Sequence, residues 1–211
     1  IQYPAMHAEP SQPVSTSLIH RIASILEPMD VTGLFESGQP LEVELGAGDG
    51  SFLAQYAALH PERNFFGVER LLGRLRKIDR KGQRLGLRNL RVTRIEASYF
   101  LEYLLPPKSL TALHVYFPDP WPKRKHRKYR LINDRFPSLA ERVLLPGGTV
   151  YLRTDDADYF SQMNRVFDLA TVFEAVPTPQ ELASVVTDFE KDFNSKGVAT
   201  LSAAYRLKAH A

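Results

Sequence analysis

The chain has 211 residues, enough for one domain with a full core, and it has no cysteine. That excludes disulfides, zinc–thiolate sites and thiol nucleophiles. Hydrophobic residues make up 44% and charged residues 24%, and no apolar run approaches the roughly 18 residues of a membrane span.

The start, Ile1-Gln2-Tyr3-Pro4, has neither an initiator methionine nor the basic-then-apolar order of a signal peptide, so no leader is read there. Pro4, Pro10 and Pro13 without periodicity make residues 1–14 a tail. Leu18, Ile19, Ile22, Ile25 and Leu26 recur at helical spacing and predict a helix ended by Pro28. This tail and helix, 1–40, are set apart from a domain over 41–211. From position 41 strands and helices alternate. Strands are predicted over 41–45, 64–68, 90–95, 111–117 and 149–153. Helices are predicted over 49–60, 71–86, 97–105, about 129–144, and 156–169. The stretch 171–207 reads as two more strands around an irregular segment, 177–197. Alternation at this spacing predicts an α/β fold: a mostly parallel, seven-stranded sheet with helices on both faces. In such sheets ligands sit at the C-terminal ends of the strands.

The chemistry-bearing residues cluster at those ends. The first strand runs into Glu44-Leu45-Gly46-Ala47-Gly48-Asp49-Gly50. Gly46 and Gly48 permit a tight turn and close approach of a ligand, and Glu44 beside them suits an ammonium group. Ser51 stands where the dinucleotide fingerprint needs its third glycine, so no pyrophosphate is indicated. Glu69 ends the second strand, about 20 residues past the glycines, where an acid accepts from ribose hydroxyls. Glu96 ends the third, placed for an adenine amino group. Three acids on one rim describe an adenosyl pocket. The fourth strand ends Phe117-Pro118-Asp119-Pro120-Trp121-Pro122-Lys123, with prolines that stiffen the turn holding Asp119 and Trp121. Six cations then follow without an acid: Lys123, Arg124, Lys125, Arg127, Lys128 and Arg130. Nine more basic residues and one acid lie between Arg70 and Arg91. Such concentrations attract polyanions, although a solvated helix face accounts for the second equally well.

The glycine turn, the FPDPWPK segment, Thr154-Asp155, and Thr187-Asp188-Phe189-Glu190 followed by Gly197 resemble the bacterial tRNA (guanine-N7)-methyltransferase family over about 40–207. The resemblance implies a Rossmann-like class I methyltransferase fold and a cytoplasmic enzyme, monomer or homodimer. Its cofactor would be S-adenosylmethionine and its partner tRNA, methylated at N7 of a variable-loop guanine, with no metal and no membrane. It assigns cofactor contacts to Glu44, Glu69, Glu96 and Asp119. Substrate contacts fall to Lys123, Asp155, Thr187, Asp188, Phe189 and Glu190. Guanine N7 carries no proton, so catalysis reduces mainly to alignment and needs no acid–base dyad. Asp119 lies between the two ligands as the catalytic candidate. Asp155 or Glu190 would accept from the guanine N1–H and exocyclic amine. A small-molecule methyltransferase would instead carry an apolar lid at 123–130. An RNA-binding protein without catalysis would have lost the strand-end acids, and here all are present.

Overall fold

The computed structural model describes residues 17–36 and 38–209; the expected tail over 1–14 lies outside them. In chain order the elements are β1 (Leu41–Leu45), α1 (Ser51–Leu59), β2 (Asn64–Val68), α2 (Leu72–Arg84), β3 (Leu90–Thr93), α3 (Ala97–Tyr99) and β4 (Leu110–Tyr116). Then follow α4 (Phe136–Val143), β5 (Leu144–Thr154), α5 (Ala157–Asp168), β6 (Phe173–Val176), α6 (Gln180–Ser184), α7 (Asp188–Ser195) and β7 (Leu201–Leu207). The sheet order is β3-β2-β1-β4-β5-β7-β6, and only β7 pairs antiparallel with its neighbours. The order reverses between β1 and β4, which opens a crevice at their C-terminal ends.

Every residue of β1 and β2, and nearly every residue of β4, is buried, as a sheet covered on both faces requires. One face packs under α1 and α2 through Phe52, Leu53, Leu75 and Ile78. The other packs under α4 and α5 through Phe136, Ala140, Tyr159 and Met163. The mostly parallel seven-stranded sheet is therefore as the alternation predicts.

Four local expectations are corrected. The predicted helix over 18–26 is absent. The Val92 N–H donates to the Leu18 carbonyl at 2.9 Å, and the His20 N–H donates to the Val92 carbonyl at 2.7 Å. The segment thus extends beside β3, the sheet's edge, where unpaired backbone groups outcompete a helix with nothing to pack on. Ile25 and Leu26, two of its apolar positions, are exposed. The helix over 97–105 is a short α turn running into a π turn at Phe100–Leu104. The helix from 129 begins only at Phe136; Arg124–Tyr129 forms a 3-10 turn instead. Arg130 is extended, with φ −60° and ψ 132°, and the Ile132 amide donates to the Tyr159 hydroxyl at 2.9 Å rather than to a helical carbonyl. Finally, 177–197 is not irregular, because it carries α6 and α7.

Candidate active site

The turn after β1 is tight. The amides of Gly46 and Ala47 both donate to the Val68 carbonyl at 2.9 Å. Gly46 has φ 79° and Gly48 φ 57°. A Cβ at Gly46 would meet nothing within 4 Å, and one at Gly48 only the Gly46 carbonyl at 4.0 Å. The space above the turn is open, as close ligand approach needs.

Two adjoining cavities, about 310 and 630 Å³, share Gly46, Arg74, Tyr116, Phe117 and Asp119. Glu69 and Glu96 line the first; Glu44 and Gly48 line the second. The structure thus gathers all six expected cofactor residues on one crevice. Their states differ. Glu44 is 3% exposed, and its Oε2 has no hydrogen-bond partner among the described residues. Burial pushes its carboxyl up to about 8, opposed by Arg153 and reinforced by Asp49 and Glu69. Glu69 accepts from the Gly48 amide at 3.0 Å and the Leu71 amide at 2.7 Å, so it staples the glycine turn to the start of α2. Glu96 caps α3 through the Ser98 and Tyr99 amides and the Ser98 hydroxyl. Burial would raise its carboxyl, but these bonds outweigh burial and hold it below the usual range. The Asp119 side chain is 73% exposed at the junction of the cavities, with Arg70 3.9 Å away.

The expected substrate residues divide. Thr187, Asp188 and Phe189 line the second cavity; Lys123, Asp155 and Glu190 line neither. Phe189 lies edge-on to Phe117 and Phe193. Thr187 and Glu190 form a capping box on α7, with bonds of 2.8 and 3.0 Å. Glu190 is 4% exposed and pairs with the buried Arg153 at 3.1 Å. Asp155 is partly buried just past β5, and Lys123 is exposed. Of the six cations after the motif, Arg130 is no phosphate ligand. It is 1% exposed, donates to Pro120, Gln162 and Asp158, and lies over the Tyr159 ring. Arg127 pairs with Asp158 at 3.0 Å, while Lys123, Arg124, Lys125 and Lys128 point to solvent.

Sequence reasoning missed two features. Arg153 donates to the Val185 carbonyl and to Glu190 and lies over Tyr116, tying β5 to the α6–α7 segment. Behind Tyr116, the buried His114 sits 2.8 Å from its hydroxyl and 2.7 Å from Glu42. A polar or charged residue inside an apolar strand was the available signal in each case.

A family model described as "Putative methyltransferase" matches residues 38–203. A tRNA (guanine-N(7)-)-methyltransferase of Halorhodospira halophila is 35% identical over 195 residues, 85% of this chain and 80% of the relative. One from Syntrophotalea carbinolica is 40% identical over 139 residues, 66% of this chain, and there the match spans 60% of the relative's length. Among solved structures, the 16S rRNA methyltransferase KamB superposes with a TM-score of 0.59 at 17% identity, covering 81% of this chain and 88% of that one. At that identity the likeness concerns the fold alone.

Proposed function

The chain belongs to the tRNA (guanine-N7)-methyltransferase family, and we propose that it transfers a methyl group from S-adenosylmethionine to N7 of a variable-loop guanine in tRNA. The observation that carries this reading is the unpartnered Glu44 Oε2, buried beside the open glycine turn. A buried carboxyl oxygen without a hydrogen-bond partner is costly, and a ligand ammonium group that donates to it removes the cost. The residues therefore fit a cofactor that bears an ammonium group. When bound, S-adenosylmethionine supplies an electrophilic methyl group on a positively charged sulfur.

Glu44 holds the ammonium group, and the missing Cβ atoms of Gly46 and Gly48 let the ligand lie against the backbone. Glu69 keeps free lone pairs for the ribose hydroxyls beside its two amide bonds. Glu96 lies at the adenine end of the first cavity, and its local bonds leave it the weakest contact of the four acids. Asp119, between the cavities, orients the reacting ligands. Asp155 and Asp188 serve the guanine's donor edge, and Phe189 offers its face to the base. Thr187 and Glu190 act through the helix they cap rather than by touching the base. Lys123 leads the free cations that meet the phosphates. No chain residue must accept a proton from N7, and alignment carries the rate. The methyltransferase domain is taken as 41–211, and a cytoplasmic site of action follows from the substrate.

The direct test is incubation with tRNA and cofactor, digestion to nucleosides, and mass spectrometry. The expected product is 7-methylguanosine. A methyl group on an exocyclic amine, on N1 or on a ribose would replace this reading, as would no transfer to RNA at all.

A further inference from the structure

Beyond Arg74 and Lys77, the outward face of α2 lies outside the cofactor cleft, yet it is densely basic. Six of its thirteen residues are basic. The helix packs only through Leu75, Ile78 and Gly82. Its single acid, Asp79, is turned inward, accepting from the Leu18 amide and the Ser17 hydroxyl. Lys81 pairs with Asp49 at 2.9 Å. Arg74, Arg76, Lys77, Arg80 and Arg84 are exposed with no ion pair among the described residues.

This arrangement works against the helix. Arg76–Arg80, Arg80–Arg84 and Arg74–Lys77 are like-charge neighbours at i,i+4 or i,i+3, and each destabilises an isolated helix. The first turn holds Arg74 and no acid, against the helix dipole. Elsewhere the protein balances its exposed helices: α7 pairs Asp188 with Lys191 and Asp192 with Lys196, and α5 mixes Asp158 with Arg165. A helix kept for packing alone would be built that way too. The excess begins at the cleft mouth, where Arg70 meets Asp119, and Arg74 and Lys77 line the cavities. From there it runs the length of α2, about 20 Å at 1.5 Å per residue.

We propose that the exposed face of α2 is a second RNA-binding surface, a track for the phosphodiester backbone of the tRNA leading away from the target nucleotide. The inference rests on the reading of tRNA as substrate. It adds a contact on the far side of the cleft from the free cations of 123–128. Phosphates along the strand meet cations spaced at one-turn intervals, and guanidinium groups are suited to them.

The test uses the full chain with Arg76→Gln, Arg80→Gln and Arg84→Gln combined. None of the three lines either cleft cavity, and glutamine keeps helix propensity. tRNA affinity is expected to fall roughly tenfold near 0.1 M salt, and the slope of log affinity against log salt to lose about two to three units. KM for tRNA should rise while turnover at saturating tRNA and cofactor affinity hold. The thermal midpoint should hold or rise. A matched triple at the opposite sheet edge, Arg165→Gln, Arg206→Gln and Lys208→Gln, should leave affinity and slope unchanged. Wild-type affinity and slope in the α2 variant would overturn the proposal, as would equal losses in both triples, which would mean net charge alone. Loss of binding to phosphatidylserine vesicles with tRNA affinity intact would replace RNA by a membrane. Nucleoside analysis of the wild type stands apart. If 7-methylguanosine forms and the α2 variant binds normally, only the track falls. If none forms but the variant loses tRNA, the track stands and the catalytic reading falls.

Discussion

Glu44 makes the cofactor cleft sensitive to pH. Its carboxyl is raised from an ordinary value near 4.5 to about 8 by burial, so it carries a proton in the empty protein over that range. The stability this gives is full below the unfolded value and is lost as pH rises through about 8. A ligand ammonium group favours the charged form, so binding expels the proton. Cofactor affinity is therefore expected to fall about tenfold for each pH unit below 8, with proton release visible by calorimetry in buffers of different ionisation enthalpy. Glu44→Gln should bind weakly and without that slope; a steep slope surviving in the variant would assign it elsewhere. At saturating cofactor and tRNA the picture reverses. Turnover should be nearly flat from about pH 6.5 to 8.5, and Asp119→Asn should lower it roughly tenfold or more without bending the profile. A wild-type limb near neutrality would indicate a target atom that bears a proton. These acids were legible in the sequence because strand ends are legible, and one rim needs few polar residues. Arg130 and Arg153 were not: a cation in a string of letters gives no sign of whether it faces water or the core.

At the scale of elements, a buried ion pair ties α7 to the sheet. Arg153 reaches from β5 to Glu190 at 3.1 Å, both nearly inaccessible, and also holds the Val185 carbonyl. Arg153→Met leaves Glu190 charged and unpaired, which by the usual cost of breaking a buried pair destabilises the fold by about 3–5 kcal/mol. Thermal or denaturant unfolding measures it. Adding Glu190→Gln, which keeps an oxygen for the cap, should recover part of the loss. Full wild-type stability in the single variant would refute this role. The Thr187-x-x-Glu190 spacing was a readable capping box. The helix that it starts lies in the segment, 177–197, that the sequence reads as irregular. The reverse error occurred over 18–26, where helical periodicity lost to the open edge of β3.

Across the whole molecule, a net charge of +3 conceals two basic surfaces that flank one cleft. Neutralising Arg124, Lys125 and Lys128 together should weaken tRNA binding and flatten its salt dependence by about two to three units, while cofactor affinity stays the same. An unchanged salt slope would make the loop a merely solvated surface. The architecture itself was legible because alternation and topology are coupled: parallel strands demand crossover helices, and those helices leave a period of 3.6 in the sequence. The pairing of Leu18 and His20 with Val92 left no such trace, since it joins segments over seventy residues apart. That separation has a consequence for assembly. During synthesis Leu18–His20 emerges first but has nowhere to dock until β3 has been made and paired with β2. The N-terminal segment therefore closes the sheet late, and in native-state hydrogen exchange the amides of His20 and Val92 should open together, ahead of those of β1 and β4.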